Sequence, residues 1–262
     1  MTGFIGGGNM AEALIKGLTS RGERDLVVSE PREDRRRYLE QTYRIKTTPS
    51  NREVVTSRNI IILAIKPQSM NSVLEEISPF VNDTKTVISI AAGITLSLLK
   101  STLKTNRLVR VMSNTPALVQ EGMSVISLCT CLPEKIIAPV RDIFMSIGKV
   151  LTLPEKYMNA VTALSGSGPA FIALFIESMI EGGMRMGLSS EDATALSVQT
   201  LLGTARLLDT GMSPEKLRIM VTSPGGTTAA GLKIYEESSF KQTVIDGLLA
   251  ALKRADELGK GE

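Results

Sequence analysis

Histidine and tryptophan are absent from this 262-residue chain, cysteine occurs twice, and there are only six Phe and four Tyr. Without histidine there is no His-based alcohol dehydrogenase relay and no Ser-His-Asp hydrolase site. The two cysteines, Cys129 and Cys131, are too few to bind zinc unaided, and read most simply as buried small hydrophobes in a reducing compartment. Metal chemistry is therefore not expected. Scarce aromatics leave few platforms for stacking bases, and 30 basic residues stand against 27 acidic ones. The densest basic run, Arg35-Arg36-Arg37, is flanked by Glu33, Asp34 and Glu40 and reads as a solvated helix face, so nucleic acid is not an expected partner. No basic segment precedes an early apolar stretch. The longest uninterrupted apolar runs, 60–65 and 170–176, fall short of the roughly 20 residues a membrane helix needs. The expectation is a soluble, cytoplasmic protein without a membrane partner.

What is present is a globular composition, 43% hydrophobic and 22% charged. The first half alternates short β-rich runs with helical stretches. Strands are predicted at 3–5, 25–29, 45–47, 60–65, 87–90 and 107–112, with helices at 10–18, 33–42, 70–77 and 96–103. Strands at 125–128 and 149–153 flank a helix at 134–146. Such a βαβ succession predicts a Rossmann-type α/β domain over 1–155, with a mostly parallel sheet covered on both faces. Beyond it the pattern is all-helical through 156–262, with helices at 156–164, 170–187, 191–210, 214–222, 226–236 and 238–258. Ser190, Ser213 before Pro214, and Ser239 read as helix-start signals. Leu174, Met179, Met184, Leu201, Leu202 and Leu208 make these helices apolar. That surface predicts a dimer interface, with packing against the first half as the alternative.

The first strand runs into Gly6-Gly7-Gly8, and Gly6-x-Gly8-x-x-Ala11 matches the dinucleotide form of the glycine fingerprint. Gly6 permits the tight turn, Gly8 lets backbone approach a pyrophosphate, and Ala11 lets the helix pack closely. Asn9 and Met10 open that helix, whose N–H groups suit an anion. At the end of the second strand Glu30 offers a carboxylate to the ribose hydroxyls of NAD, while Arg32, Arg35 and Arg36 offer guanidinium groups to the 2′-phosphate of NADP. The choice stays open. Ala64-Ile65-Lys66-Pro67-Gln68 ends another strand and lies where parallel sheets place ligands, or is simply a turn with a solvent-facing lysine. Asn51 and Asn114 occupy comparable connections.

In the helical half, Thr222-Ser223-Pro224-Gly225-Gly226-Thr227-Thr228 is the densest cluster of small and polar residues. Its glycines permit close approach, and the helix starting after Gly226 offers N–H groups to a carboxylate. A second cluster, Ser165-Gly166-Ser167-Gly168-Pro169, precedes another helix; either could also be a loop with a cap. An already protonated C=N substrate needs no histidine relay, so an imine fits this chain better than a ketone.

These motifs resemble those of the pyrroline-5-carboxylate reductase family over residues 2–259. The likeness rests on Phe4 to Ala11, Ala64 to Gln68, Asn114 to Ala117, Ala163 to Ala170, and above all Val221 to Thr228 followed by Ala230-Gly231-Leu232. It implies reduction of 1-pyrroline-5-carboxylate to L-proline with NADPH or NADH, leaning to NADPH, and an interlocked homodimer that assembles further into a decamer of five dimers. It also implies that Thr228 sits near the ring nitrogen as the catalytic hydroxyl, and that Ser223, Gly225, Gly226, Thr227 and Thr228 hold the substrate carboxylate. Gly6, Gly8, Asn9, Met10, Glu30, Arg32, Asn51, Ala64, Lys66, Pro67 and Asn114 fall to the cofactor. Two positions depart from the family pattern. Glu30 stands where many members have an uncharged polar residue, which weakens the NADP reading, and Ser113 stands where many bacterial members have proline. The nearest rival is a β-hydroxyacid dehydrogenase, suggested by Lys156-x-x-Asn159; a nucleotide-binding protein without turnover is the rival from outside enzymes.

Overall fold

The computed structural model describes residues 1–129 and 132–259; Cys131 lies outside them. Eight strands form one sheet, β1 (Thr2–Ile5), β2 (Leu26–Ser29), β3 (Lys46–Thr48), β4 (Ile60–Leu63), β5 (Thr86–Ser89), β6 (Leu108–Ser113), β7 (Gly122–Leu128) and β8 (Gly148–Thr152), in the order β3-β2-β1-β4-β5-β6-β7-β8. All neighbours are parallel except β6 and β7. The sheet is the expected mostly parallel Rossmann-type sheet.

Consecutive strand residues point to opposite faces, and here both faces are buried, which is why the strands read as continuous apolar runs. Phe4, Val28, Ile62 and Ile88 lie on one face, in a core with α1 (Asn9–Ser20), α2 (Glu33–Tyr43) and α6 (Glu134–Met145). Ile5, Val27, Ile61, Leu63 and Val87 lie on the other, under α3 (Asn51–Ser57), α4 (Met70–Ile77) and α5 (Leu96–Thr102). Cys129 is half-buried against this second core. Helix α3 was missed in the sequence because it spans only seven residues, too few to show a helical period; the Ser50 hydroxyl caps it by accepting from the Glu53 N–H.

Ser113 extends the β6–β7 pairing and sits opposite Ser124, with the two hydroxyls 2.8 Å apart. The serine at this departure from the family pattern thus adds a cross-strand hydrogen bond.

By its contacts the chain divides into two compact units, residues 1–167 together with the last helix from Ala251 onward, and Gly168–Ala250. Residues 155–166 pack with the first unit because Met158 and Val161 share a small core with Val125. They form a 3-10 turn (Glu155–Tyr157), the short helix α7 (Met158–Val161) and a π turn (Thr162–Gly166).

The second unit consists of α8 (Gly168–Arg185), α9 (Ser190–Asp209), α10 (Pro214–Met220), α11 (Thr227–Glu237) and the beginning of α12 (Phe240–Gly259). Ser213 caps α10 as expected, but α9 is capped by Ser189 rather than Ser190, and Ser239 is a left-handed link at φ 58° between two helices. Few side chains here are buried; Leu174, Met186, Leu196 and Ile234 are all exposed. The expectation of only short apolar runs needs one correction. Helical backbone joins the 170–176 run to its neighbours as Glu155–Arg185, 31 residues with an 18-residue window of mean hydropathy 1.4, long and apolar enough to cross a membrane by length and composition alone.

Candidate functional site

Because the strands are parallel, their C-terminal ends meet at one edge. Ile5 is in register with Ser29 on one side and Leu63 on the other, and Leu63 with Ser89. The residues that follow, Gly6, Glu30, Ala64 and Ile90, therefore stand side by side. The chain runs outward from β1 to β2 and β3, then returns to β4 on the other side, so the crevice for a ligand lies where β1 and β4 diverge.

Gly6 has φ 96°, and a Cβ there would lie 2.5 Å from the Ala64 carbonyl oxygen, so no larger residue fits. Gly8 begins α1 without a side-chain cap, and a Cβ built on it would meet nothing within 4 Å. Between them, Gly7 is clamped on both peptide groups: its N–H donates to Glu30 Oε2 at 3.0 Å, and its carbonyl accepts from Arg35 Nε at 2.7 Å. Arg35 also pairs with Glu12, whose carboxylate accepts from the hydroxyls of Tyr38 and Tyr43. Burial pulls the Glu12 carboxyl upward, but the hydrogen bonds from Tyr43, Arg35 and Tyr38 outweigh it and hold the pKa below the usual value. A glycine loop with its open face toward a helix N-terminus and its back fixed by ionised side chains suits a pyrophosphate.

Glu30 is buried, 6% exposed, and its other oxygen accepts from the backbone N–H and Nε of Arg32. Of the three arginines expected at the 2′ position, two are placed otherwise. Arg35 is bound to Gly7 and Glu12, and Arg36 donates to the carbonyls of Glu30 and Pro31. Only Arg32 keeps a largely exposed side chain, 62% accessible.

The remaining predicted positions divide into edge residues and braces. Ala64 follows β4 and hydrogen-bonds back to Ile5, with Lys66 exposed before the 3-10 turn that Pro67 opens. Asn51 heads α3, its amide bridging Ser29 Oγ and Glu76 Oε2. Asn114 accepts from the Met123 N–H at 2.8 Å and donates to Ser165 Oγ at 3.3 Å, bracing the loop after β6. Asn9 is exposed in the first turn of α1, and Met10 is half-buried against the core. Sequence reasoning missed Ile90 to Gly93, which follow β5 at the same edge, with Gly93 at φ 78°; a small-residue run directly after an apolar strand is the signal that could have found them. It missed the Arg35 and Glu12 brace entirely, since contacts 23 to 31 residues apart leave no periodic trace.

In the helical unit, α10 ends at Met220 and α11 begins after Gly226, which has no side-chain cap. The turn between them is closed by the Gly226 N–H donating to the Ser223 carbonyl at 3.0 Å, and Gly225 lies at φ 70°. Thr227 and Thr228 stand in the first turn of α11. Among the described residues no side chain bonds the hydroxyls of Ser223, Thr227 or Thr228. The Lys156-x-x-Asn159 pattern has an ordinary structural use: Lys156 lies over the Tyr157 ring, and Asn159 donates to Asp256.

This fold and site define a dinucleotide-dependent oxidoreductase. The family model for pyrroline-5-carboxylate reductase dimerisation matches residues 155–258, and that for NADP oxidoreductase, coenzyme F420-dependent, matches 1–93. A pyrroline-5-carboxylate reductase of Synechocystis is 39% identical, with 98% of each chain covered, and one of Arabidopsis thaliana is also 39% identical, covering 98% of this chain and 95% of its own. The solved pyrroline-5-carboxylate reductase of Coxiella burnetii superposes with a TM-score of 0.91 at 34% identity, over 98% of this chain and 97% of that one. The chain belongs to the pyrroline-5-carboxylate reductase family. It is an NAD(P)H-dependent oxidoreductase that reduces 1-pyrroline-5-carboxylate to L-proline, and its helical domain forms a homodimer.

Proposed function

We propose that the chain performs this reduction by alignment, with the glycine edge of the sheet holding the cofactor and the Ser223 to Thr228 turn holding the substrate. One observation carries the reading. Helices α3, α5, α9 and α10 are capped by Ser or Thr hydroxyls and α2, α4, α6 and α7 start uncapped at Arg32, Ser69, Pro133 and Tyr157, whereas α1 and α11 start uncapped at glycine, Gly8 and Gly226. A helix start left to glycine offers its N–H groups and positive dipole end to an anion. The two anions are the cofactor pyrophosphate at α1 and the substrate carboxylate at α11.

Gly6, Gly8, Asn9 and Met10 hold the pyrophosphate, and Glu30 and Arg32 lie toward the adenosine ribose. Ala64, Lys66 and Pro67 line the nicotinamide side, while Asn51 and Asn114 keep the flanking loops in place. When bound, NADPH or NADH supplies the hydride that reaches C5 of the pyrroline ring. Backbone N–H groups at Gly226 to Thr228, with Ser223 and Gly225, fix the carboxylate, and the Thr228 hydroxyl hydrogen-bonds at the ring nitrogen. Because nitrogen enters protonated, or gains its proton from water or Thr228, no histidine is needed, and orientation accounts for most of the acceleration. In this division of labour residues 1–155 bind the dinucleotide, and 156–262 bind substrate and pair with a second copy. Dimers assemble in fives into a decamer, and the enzyme works in the cytoplasm. The apolar Glu155–Arg185 helix is then a dimer surface rather than a membrane span. The solved relative from Plasmodium falciparum, 34% identical with a TM-score of 0.88, has NADP bound, which supports a dinucleotide as the cofactor.

Replacing Thr228 with Ala tests the catalytic assignment. Turnover of pyrroline carboxylate is expected to fall by about tenfold or more, the scale of one charge-assisted hydrogen bond, while NAD(P)H titration stays unchanged. Unaltered steady-state kinetics would remove Thr228 from the mechanism.

A further inference from the structure

The two departures from a simple NADP site, a carboxylate after β2 and the loss of two of its three nearby arginines to other partners, bear on which cofactor this chain takes. Glu30 is held at both carboxylate oxygens. One oxygen holds the Gly7 N–H at 3.0 Å, and the other holds the Arg32 N–H at 3.1 Å and Nε at 3.0 Å. A carboxylate has about four acceptor positions, so one remains for a further donor. A ribose hydroxyl is such a donor, and a 2′-phosphate, an anion with acceptor oxygens only, is not.

The most exposed of the three guanidinium groups is that of Arg32. The Arg35 guanidinium is bound to Gly7 and Glu12 and is 16% exposed, and Arg36 is turned back onto the Glu30 and Pro31 carbonyls. Arg32 is tied to Glu30 through Nε, and its exposed end can meet a phosphate.

We infer that Glu30 sets this chain's preference toward NADH, accepting from the adenosine ribose and opposing a 2′-phosphate, with Arg32 as the counterweight that keeps NADPH acceptable. Glu30 is a selecting residue and a brace at once, because the carboxylate that meets the ribose also holds the phosphate loop through Gly7. The inference rests on reading the glycine edge as the dinucleotide site.

The test is direct binding of NADH and NADPH to the full-length protein, followed by nicotinamide fluorescence, for the unmodified chain, E30Q and R32Q. The unmodified chain is expected to bind NADH more tightly. E30Q should raise the NADPH-to-NADH affinity ratio by about tenfold or more, and R32Q should lower it by a similar factor, on the scale of a hydrogen bond to a charged group. If E30Q weakens both cofactors equally and leaves the ratio in place, Glu30 is a brace only and the inference is overturned. Tighter NADPH than NADH binding by the unmodified chain overturns it as well. A competition on the unmodified protein guards against a variant that fails to fold: 5′-AMP should displace NADH at lower concentration than adenosine 2′,5′-bisphosphate, and the reverse order sinks the selection. Neither binding readout depends on pyrroline turnover. Loss of the substrate assignment would therefore leave this inference standing, and failure of both cofactors to bind would instead remove the dinucleotide site.

Discussion

Phe144 and Leu174 are both large apolar side chains on amphipathic helices, yet Phe144 on α6 is fully buried while Leu174 on α8 is 63% exposed. The α/β unit closes its own cores, because a sheet with two apolar faces has helices to cover each of them. The helical unit does not. Its α8 and α9 pack on one another through small residues, Gly183 against Ala193, and leave the larger side chains outward. In a family whose helical segment is a dimerisation domain, that outward face is the expected place for the second copy. One unit is expected to depend on its own core for stability and the other on association.

Four substitutions separate these two kinds of stability. The largest effect is expected from Leu174→Arg, which places a charge on the apolar face of α8 and should weaken the dimer by about a hundredfold or more, the scale of a central interface residue. Sedimentation at micromolar concentration reads this directly, and a dimer that survives would move the interface off this face. Next, Phe144→Ala empties a filled core site in the first unit and should cost about 3–5 kcal/mol of unfolding free energy. Its oligomeric state should stay the same, so a denaturation midpoint that falls together with dimer loss would mean the two units are not separable in this way.

A smaller effect belongs to Ser213, whose hydroxyl accepts from the Lys216 N–H at the start of α10. Ser213→Ala should lower stability by about 1 kcal/mol with the substrate KM unchanged. A raised KM would show that this cap positions the neighbouring substrate turn. The smallest concerns pH. Glu12 has its folded pKa below the ordinary 4.5. Its stabilising network is therefore complete above the unfolded value and lost as pH falls through the lower folded one. The melting temperature of the unmodified chain should drop more steeply below about pH 4.5 than that of Glu12→Gln, and parallel curves would show the network adds no pH-dependent stability.

The alternation of elements in the first half was legible because buried parallel strands are unbroken apolar runs bounded by turn residues, and nearly every strand and helix there lies within a few residues of its reading. The short helix Asn51–Ser57 was not, since two turns carry too little periodicity. At the site, Gly6 and Gly8 could be read from spacing alone: the left-handed turn at Gly6 demands glycine, and Gly8 leaves the helix start unobstructed. The arginines could not. Arg32, Arg35 and Arg36 look equivalent in sequence, and only the fold sends two of them to Gly7, Glu12 and nearby carbonyls and leaves the third toward solvent.

Sequence by itself determined the parallel sheet, the glycine turn, the helical second half and the small-residue turn before α11, because each depends on local spacing and the backbone freedom of particular residues. Tertiary structure decided which polar groups are taken by the protein and which remain for ligands. That Glu30 holds Gly7 and that Asn114 braces Met123 and Ser165 follow from contacts between distant segments. A buried hydrogen-bond donor must find an acceptor wherever the packed chain brings one within about 3 Å, and sequence spacing carries no record of where that will be.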